Sequence, residues 1–360
     1  MDSTPNPNFV KIRPVILTAL LAVLAILAAT DIAYLSRIGG YFLLMVALGV
    51  LAVISMTCDK TVFFLNTAAL MVILFFTSGK SLTVTLLGAV LALGALALTV
   101  AVGKKSTKTS TVLTVCVTVS IGYILVAAVM YAAEGNSLAI DDLFEKLNSV
   151  FDSIKVMMAD VVREYVNSLP EEMLASYATT KEALLESMLL TMEGSLDMVQ
   201  LLLPGYFIFL AQTMAYISVL TFEKIARLFR CADILPDMHW RLYPTQISCI
   251  VYIVVTTAYL FAGVFAPSST FAILMMNFWI ALLPVMIACG FTGLIMRLKH
   301  PRLRKSMIFI LVIFGVACLF MAGTALSFGL FMLTFMGAQD VSFARTAESL
   351  ERKHRDMNGK

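Results

Sequence analysis

The chain has 360 residues, of which 60% are hydrophobic and 14% are charged, and its formal net charge is +3. Charged residues make up about a quarter of an ordinary soluble domain, so this composition excludes that class and indicates a protein embedded in lipid. Lys and Arg stand in short clusters beside apolar runs, which is typical of residues that orient membrane helices. We therefore expect the lipid bilayer, and no nucleic acid, among its partners.

Nine apolar runs have the character of membrane-spanning helices. Most are close to the ~20 residues that cross a hydrocarbon core of ~30 Å at 1.5 Å per residue. Five of them precede residue 134 and predict an N-terminal membrane bundle over residues 1–133. The runs are Pro14–Thr30, Ile38–Cys58, Thr61–Gly79, Ser81–Gly103, Ser110–Ala133, Leu201–Phe222, Ile247–Ala266, Thr270–Met296 and Ser306–Gly337.

An acidic stretch interrupts these runs over residues 134–200, with thirteen Asp and Glu against four Lys and Arg. Apolar residues recur three or four positions apart from Leu143 to Leu169 and again from Leu174 to Leu196, which predicts two amphipathic helices. The second helix is expected to begin at Pro170, because proline suits the first turn of a helix. The pair forms a helical hairpin that packs on itself and the bundle, or offers a groove to a partner or a face to the membrane surface. The packing interpretation buries Val150 and Ile154.

A second membrane bundle is predicted over residues 201–340, followed by a polar tail over residues 341–360. Gly194 and Pro204 predict a bend where the second hairpin helix enters the membrane. The final run, Ser306–Gly337, has two interpretations, a single long crossing or a helix that doubles back near Gly323–Gly329. The basic residues of the tail favour the second interpretation, whereas the length of the run favours the first.

The basic clusters predict the orientation of the chain in the membrane. Four clusters fall on one side if every run crosses once, and that side is expected to be the cytoplasm. The N-terminus then lies inside and residues 134–200 lie outside a bacterial plasma membrane. The clusters are Lys11 and Arg13; Lys104, Lys105 and Lys108; Lys224, Arg227 and Arg230; and Arg297, Lys299, Arg302, Arg304 and Lys305.

Motifs for enzymatic chemistry are missing from the sequence. It contains no H-E-x-x-H, no G-x-x-x-x-G-K-[ST] and no G-x-S-x-G, which are the signatures of zinc peptidases, P-loop nucleotide hydrolases and serine hydrolases. The six cysteines show no metal-ligand spacing. We therefore expect a protein that is not an enzyme and carries no cofactor or metal.

Three neutral amides at mid-span are the candidate ligand-binding residues, namely Asn66, Gln212 and Asn277. Lipid cannot satisfy an amide, so each must face protein, water or a ligand. They either hydrogen-bond between helices or converge on one ligand pocket. The hydroxyl residues Tyr123, Tyr216, Thr256 and Thr257 lie at similar depth. Centres of the runs carry no ionisable residue, which argues against an ion-coupled carrier.

Three short segments resemble the YybS-like family of bacterial multi-pass membrane proteins. They are Leu203-Pro204-Gly205-Tyr206, the loop from Leu235 to Pro244, and the segment from Gly337 to Arg345. That family is distantly similar to the substrate-capture subunits of energy-coupling factor transporters. The resemblance implies an Ala-x-x-x-Ala surface on the first helix that contacts an ATPase coupling module, and Ala25 and Ala29 match it.

Together these observations predict an all-α polytopic bundle of eight or nine spans with an extracytoplasmic amphipathic helical hairpin. The expected function is that of a transporter-like subunit that binds a small molecule or a membrane protein partner. The alternative is a cell-envelope scaffold or regulatory protein that acts through its hairpin.

Overall fold

Eleven helices make up the part of the chain that the computed structural model describes. These residues are 7–34, 38–170, 180–229, 231, 234–235, 242, 246–267, 269–299, 301–320 and 322–339. The helices are α1 (Pro7–Tyr34), α2 (Ile38–Thr57), α3 (Lys60–Thr77), α4 (Leu82–Gly103), α5 (Lys108–Ala133), α6 (Ile140–Ser168), α7 (Lys181–Leu228), α8 (Gln246–Phe265), α9 (Thr270–Lys299), α10 (Pro301–Phe320) and α11 (Ala322–Gln339).

Eight of these helices, α1 to α5 and α7 to α9, are long and apolar enough to cross a membrane. The predicted polytopic helical bundle is therefore confirmed. Most observed helices end within a few residues of the apolar runs, since a continuous apolar length is what a crossing requires. The first run extends to Tyr34 as a helix that contains Pro14.

Capping side chains fix where several helices begin. The hydroxyls of Ser81 and Thr107 accept hydrogen bonds from the backbone N–H groups of Val84 and Ser110 at the first turns of α4 and α5. The carboxylate of Asp31 accepts a hydrogen bond of 2.6 Å from the Gly40 N–H, so the end of α1 caps the start of α2. Such caps satisfy donors that the first turn of a helix leaves unpaired, which allows very short connections.

The acidic stretch forms the expected helical hairpin, but its second arm is not a separate helix. It is the first part of α7, an uninterrupted helix of 48 residues that contains Pro204. Pro170 is not helical, and α7 begins at Lys181 with Thr180 as its N-cap. The helix that carries Leu184 to Leu196 therefore begins at Lys181 rather than at Pro170, and residues 171–179 lie outside the described ranges.

Polar contacts fix α6 antiparallel to the first part of α7. Lys155 donates to Asp197 at 2.6 Å, Gln200 donates to Asn148 at 2.7 Å, and Lys181 donates to the Asn167 carbonyl at 3.3 Å. The hydrogen bond to Asp197 raises the pKa of Lys155, so this lysine stays charged at neutral pH. These pairs run along the hairpin and keep the axis of α6 beside the axis of α7.

Two helices organise the membrane bundle. Helix α2 contacts α1, α3, α4 and α7, and α7 contacts α2, α5, α6 and α9. The main hydrophobic core runs through the N-terminal helices and includes Leu48, Leu51, Leu91 and Phe222, all of which are buried. Helices α8 to α11 join this core through the contact of α9 with α7.

The final apolar run is divided between two helices, α10 and α11, that pack on each other and on α9. Phe314 lies against Gly329, about equally far before and after residue 321, so the chain doubles back here as a helical hairpin. A Cβ at Gly290 or Gly337 would overlap backbone carbonyl oxygens of Leu333 or Met286. These glycines allow α9 and α11 to pack closely. The tail over residues 341–360 lies outside the described residues.

Candidate functional site

The Asn277 amide joins α9 to the backbone of α7. Its Oδ1 accepts a hydrogen bond from the Gly205 N–H at 2.8 Å, and its Nδ2 donates to the Leu201 carbonyl at 2.9 Å. In a regular helix the Gly205 N–H would bond to the Leu201 carbonyl directly. The amide therefore inserts into one rung of the helix ladder and satisfies both groups.

The sequence around Pro204 explains why this insertion occurs there. Proline has no N–H and its ring crowds the preceding turn, which loosens the helix ladder. Gly205 follows it, and a Cβ at that position would lie 2.8 Å from the Asn277 carbonyl oxygen and 3.0 Å from its Cα. Only a residue without a side chain permits this approach of α7 and α9. Asn277 is thus a structural residue of the interface between them.

Gln212 lies seven residues after Gly205, which places it about 10 Å further along α7 and on the same face of that helix at 3.6 residues per turn. Gly205 meets Asn277, and Tyr216 lies near Cys289, so the two helices run in the same direction with an offset of about 72 residues. This offset places Gln212 level with Pro284 of α9. Gln212 is buried, and its Oε1 has no hydrogen-bond partner among the described residues.

Asn66 lies in a different part of the bundle, on α3. Its Nδ2 donates to the Val62 carbonyl of its own helix at 2.8 Å, while its buried Oδ1 lacks a partner within the described chain. Helix α3 packs against α1, α2 and α4. The structure thus brings Asn277 and Gln212 to one interface and places Asn66 elsewhere. None of the three lines either of the two membrane cavities described below.

Ala25 and Ala29 lie inside the chain's own core rather than on its surface. Both are completely buried, and the Ala28 carbonyl between them lies against Gly40 at the start of α2. Small residues at this spacing allow two helices to approach closely, and here the approaching helix is α2. The exposed surface that a coupling module would need is therefore absent at these two residues, which corrects the expectation drawn from the resemblance.

A cavity of about 520 Å³ lies between α2, α4, α5 and α7. We name it the first cavity. It lies near the end of the bundle from which the α6 hairpin leaves, since Tyr41 and Thr83 lie in the first turns of α2 and α4. Phe207 and Met214 form its α7 wall. This volume lies in the range of small-molecule sites.

The first cavity is almost entirely apolar and contains a few hydroxyl groups. Tyr41, Thr83, Ser120 and Tyr123 contribute them, and its described lining holds no Asp, Glu, Lys, Arg or His. The Tyr123 hydroxyl is buried and has no hydrogen-bond partner in the described part of the chain. A buried hydroxyl without a partner costs free energy. The cavity is therefore complementary to an uncharged, mostly apolar molecule that carries a hydrogen-bonding oxygen.

Only part of this cavity is predictable from the sequence. Tyr123 is recognisable as a polar residue at mid-span, but the sequence favours the three amides as candidate ligand-binding residues because lipid satisfies an amide least. The apolar walls carry no signal, because Phe207 and Met214 are typical of any membrane helix. Their convergence depends on how α2, α4, α5 and α7 pack.

An ion pair joins α5 and α7 at the opposite end of the bundle. Lys108 and Arg227 both bind the carboxylate of Glu223, and the side chains of Lys108 and Glu223 are 7% and 13% exposed. Both cations belong to the basic clusters that predict the orientation. This contact joins two of the four helices that line the first cavity.

Helix α6 presents an apolar stripe that α7 does not cover. Helix α6 has one buried apolar side, where Phe151 and Val166 are 8% and 1% exposed. Val150 is 47% exposed, so its predicted burial is wrong; Ile154 is half-buried. The exposed apolar residues on the other side of α6 form what we call the α6 stripe, and they lie within an arc of about 80° at 3.6 residues per turn. The α6 stripe consists of Leu143, Val150, Met157, Val161 and Tyr165, each at least 41% exposed.

Comparisons of the chain with family models, with curated proteins and with solved structures found no match. Its own residues therefore carry the functional argument. Among the described residues, no three His, Cys, Asp or Glu side chains lie close enough together to hold a metal ion.

Proposed function

We propose that the protein is a non-enzymatic membrane component that binds an uncharged, lipid-like small molecule in the first cavity. The observation that carries this proposal is the buried Tyr123 hydroxyl, unpartnered among the described residues, in an apolar cavity of about 520 Å³. A ligand oxygen would satisfy the hydroxyl, and an apolar body would fill the remaining volume.

The absence of charge from the described lining defines the ligand class. An ion or a zwitterion would lose its hydration without a compensating partner, which is costly in an apolar site. The proposal extends to a transporter-like subunit, and its support there is the resemblance to the YybS-like family. With the orientation predicted from the basic clusters, the first cavity opens in the outer half of a bacterial plasma membrane.

The test is native mass spectrometry of the full-length protein purified in mild detergent. Ala211 lies on α7 in the lining, and Ala211→Phe should fill the first cavity and remove a co-purifying molecule. Ala132→Phe, at an exposed position of α5 outside the lining, is the matched control and should retain it. Tyr123→Phe removes the hydroxyl alone and should weaken retention about tenfold, equivalent to about 1.4 kcal/mol. Equal retention in all three variants would disprove the proposal.

A second candidate function is a cell-envelope scaffold or regulator that acts through its hairpin, and the α6 stripe favours it. Exposed apolar stripes of this length are typical of protein interaction sites. Helix α6 runs beside α7, and α7 continues into the bundle. The α6 stripe therefore runs parallel to the membrane-spanning part of α7. A helix in that orientation cannot lie flat on the membrane surface, so a protein partner fits better than lipid.

Crosslinking in intact cells distinguishes this second function from the first. A photo-crosslinking residue at Met157 in the α6 stripe should capture a protein, whereas one at Asp152 on another face of α6 should not. Capture from both positions, or from neither, would argue against a specific role for the stripe. Loss of the co-purifying molecule in Ala211→Phe would be unaffected by this result.

A further inference from the structure

A second cavity, of about 310 Å³, lies between α8, α9 and α11. It is separate from the first cavity, with which it shares no residue. Hydrogen bonding and close packing hold its walls together. The Tyr252 hydroxyl on α8 donates to Thr334 Oγ1 on α11 at 2.6 Å, and the glycines Gly290 and Gly337 bring α11 against α9.

Two buried polar atoms at this cavity have no hydrogen-bond partner within the described part of the chain. They are the Oγ1 of Thr256 and the Nε1 of Trp279. Thr256 is 9% exposed. Threonine hydroxyls elsewhere in these helices bond to the carbonyl four residues earlier, as Thr99 and Thr213 do. Thr256 departs from that pattern, so its buried hydroxyl has no described partner although the residue lines the cavity.

The position of the Trp279 ring is fixed by a neighbouring aromatic ring. Tyr259 stacks on it with a centroid distance of 5.3 Å and an interplanar angle of 18°. Thr256 lies three residues before Tyr259 on α8 and therefore on the same side of that helix. Trp279 and Thr256 thus both adjoin Tyr259 where α8 and α9 line the cavity, and the Tyr259 hydroxyl is the other side-chain polar group of the described lining.

These groups define the chemistry of a ligand. An indole N–H can only donate, and a threonine hydroxyl can donate or accept. A single carbonyl oxygen has two lone pairs and accepts from both donors. The rest of the described lining includes Leu260, Leu283 and Ile287, which suit a hydrocarbon chain. No charged group is present in that lining to bind a carboxylate or an ammonium group.

We propose that this second cavity binds the carbonyl end of an acyl chain, with the Trp279 N–H and the Thr256 hydroxyl donating to its oxygen. The site is independent of the first cavity and of the function proposed for it. The carbonyl can come from the ester of a bilayer phospholipid or from a free fatty acid in its neutral form, because both present the same group on the same kind of chain.

Tryptophan fluorescence offers a direct test because the chain has two tryptophans, Trp240 and Trp279. Trp240 lies outside the described residues, and Trp240→Phe leaves Trp279 as the single reporter in the full-length protein. Spin-labelled phosphatidylcholine and, separately, a spin-labelled fatty acid are titrated into this variant in detergent. The expected result is saturable quenching by at least one of them, and the probe that saturates at the lower concentration identifies the source of the carbonyl.

Two further substitutions in the same background locate the binding group. Thr256→Val keeps the shape and removes the hydroxyl, and it should raise the half-saturating concentration about fivefold to tenfold. Thr257→Val is the matched control, since Thr257 is exposed to the outside of the bundle, and it should change nothing. Quenching that never saturates, or that is equal in both variants, would show ordinary lipid contact and would overturn the proposal.

A competition experiment remains decisive even if Thr256→Val fails to fold. A fatty-acid methyl ester should displace the spin-labelled probe from the Trp240→Phe protein at about a tenth of the concentration that an alkane of the same length requires. Equal competition by ester and alkane would mean that the carbonyl is not recognised, and it would overturn the proposal.

Discussion

Asn277 satisfies two backbone groups of a neighbouring helix beside a proline. Its amide donates to the Leu201 carbonyl and accepts from the Gly205 N–H. Both bonds lie between helices, where water is scarce and a lost partner is not easily replaced. Asn66, in contrast, bonds to its own helix and has a buried oxygen without a described partner. The two asparagines are therefore expected to respond differently to the same substitution.

We predict that Asn277→Leu lowers the free energy of unfolding by about 0.6–2 kcal/mol, the usual range for hydrogen bonds between membrane helices. Asn66→Leu should be neutral or slightly stabilising, because it removes a buried oxygen that lacks a described partner. Thermal unfolding of the two purified variants in the same detergent measures the difference. An equal loss of stability in both variants would mean that the interhelical hydrogen bonds of Asn277 stabilise the protein no more than the intrahelical bond of Asn66 does.

Gly205 is predicted to tolerate no side chain. Gly205→Ala introduces a Cβ close to backbone atoms of Asn277, which cannot move without displacing α9, and it should destabilise the protein by about 1–3 kcal/mol. Gly194→Ala is the matched control in the same helix, where a Cβ would meet nothing within 4 Å. Alanine there should be neutral or stabilise by up to about 1 kcal/mol. Unfolding midpoints of the two variants provide the comparison.

At the residue scale, the sequence predicts which side chains need a partner but not where that partner is. Asn277 is recognisable as an amide that lipid cannot satisfy. Its partners are 72 and 76 residues away in sequence, so only the packing of α7 on α9 identifies them. Ala25 and Ala29 illustrate the same limit, because small residues suit contact with a partner protein and contact with α2 equally well.

Helix α6 has two apolar sides, and the spacing of its residues does not distinguish them. Residues three or four apart fall on one broad face, which includes both Val150 and Phe151. The structure shows that α7 covers the side with Phe151 and Val166 and leaves the α6 stripe exposed. The amphipathic hairpin was therefore predictable from the sequence, whereas the buried side of it was not.

We predict that aspartate destabilises the hairpin at one position of α6 but not at the neighbouring position. Phe151→Asp places a charge between α6 and α7 and should destabilise the hairpin by about 1–3 kcal/mol. Val150→Asp adds a charge on the exposed α6 stripe and should leave the hairpin intact. Hydrogen exchange of the α6 amides in the purified full-length protein reports both effects. Faster exchange in the Val150 variant than in the Phe151 variant would contradict the described packing.

The bounds of most helices follow from apolar length alone, as α2, α5 and α8 show. Helix α7 is the exception, since its apolar run begins at Leu201 whereas the helix begins at Lys181 and continues through Gly194 and Pro204. The Asn277 amide of α9 bonds to the α7 backbone next to Pro204. It bonds to the Leu201 carbonyl and the Gly205 N–H on either side of Pro204, and the local sequence does not reveal these contacts with a distant residue.

At the scale of the whole molecule, the basic clusters predict that the α6 hairpin lies outside the cell and the α4–α5 connection lies inside. A cysteine at exposed Ser137, just before α6, should react with a membrane-impermeant thiol reagent in intact cells. A cysteine at Ser106 should react only after the cells are permeabilised. The parent chain with its six native cysteines sets the background, and labelling at Ser106 in intact cells would reverse the orientation.

The length of α7 has a structural consequence. At 1.5 Å per residue its 48 residues extend over ~72 Å, and one helix carries the second arm of the hairpin, the Phe207–Met214 wall and the Glu223 ion pair. One continuous backbone therefore links the hairpin arm to the wall of the first cavity, and the Asn277 contact with Gly205 lies between them.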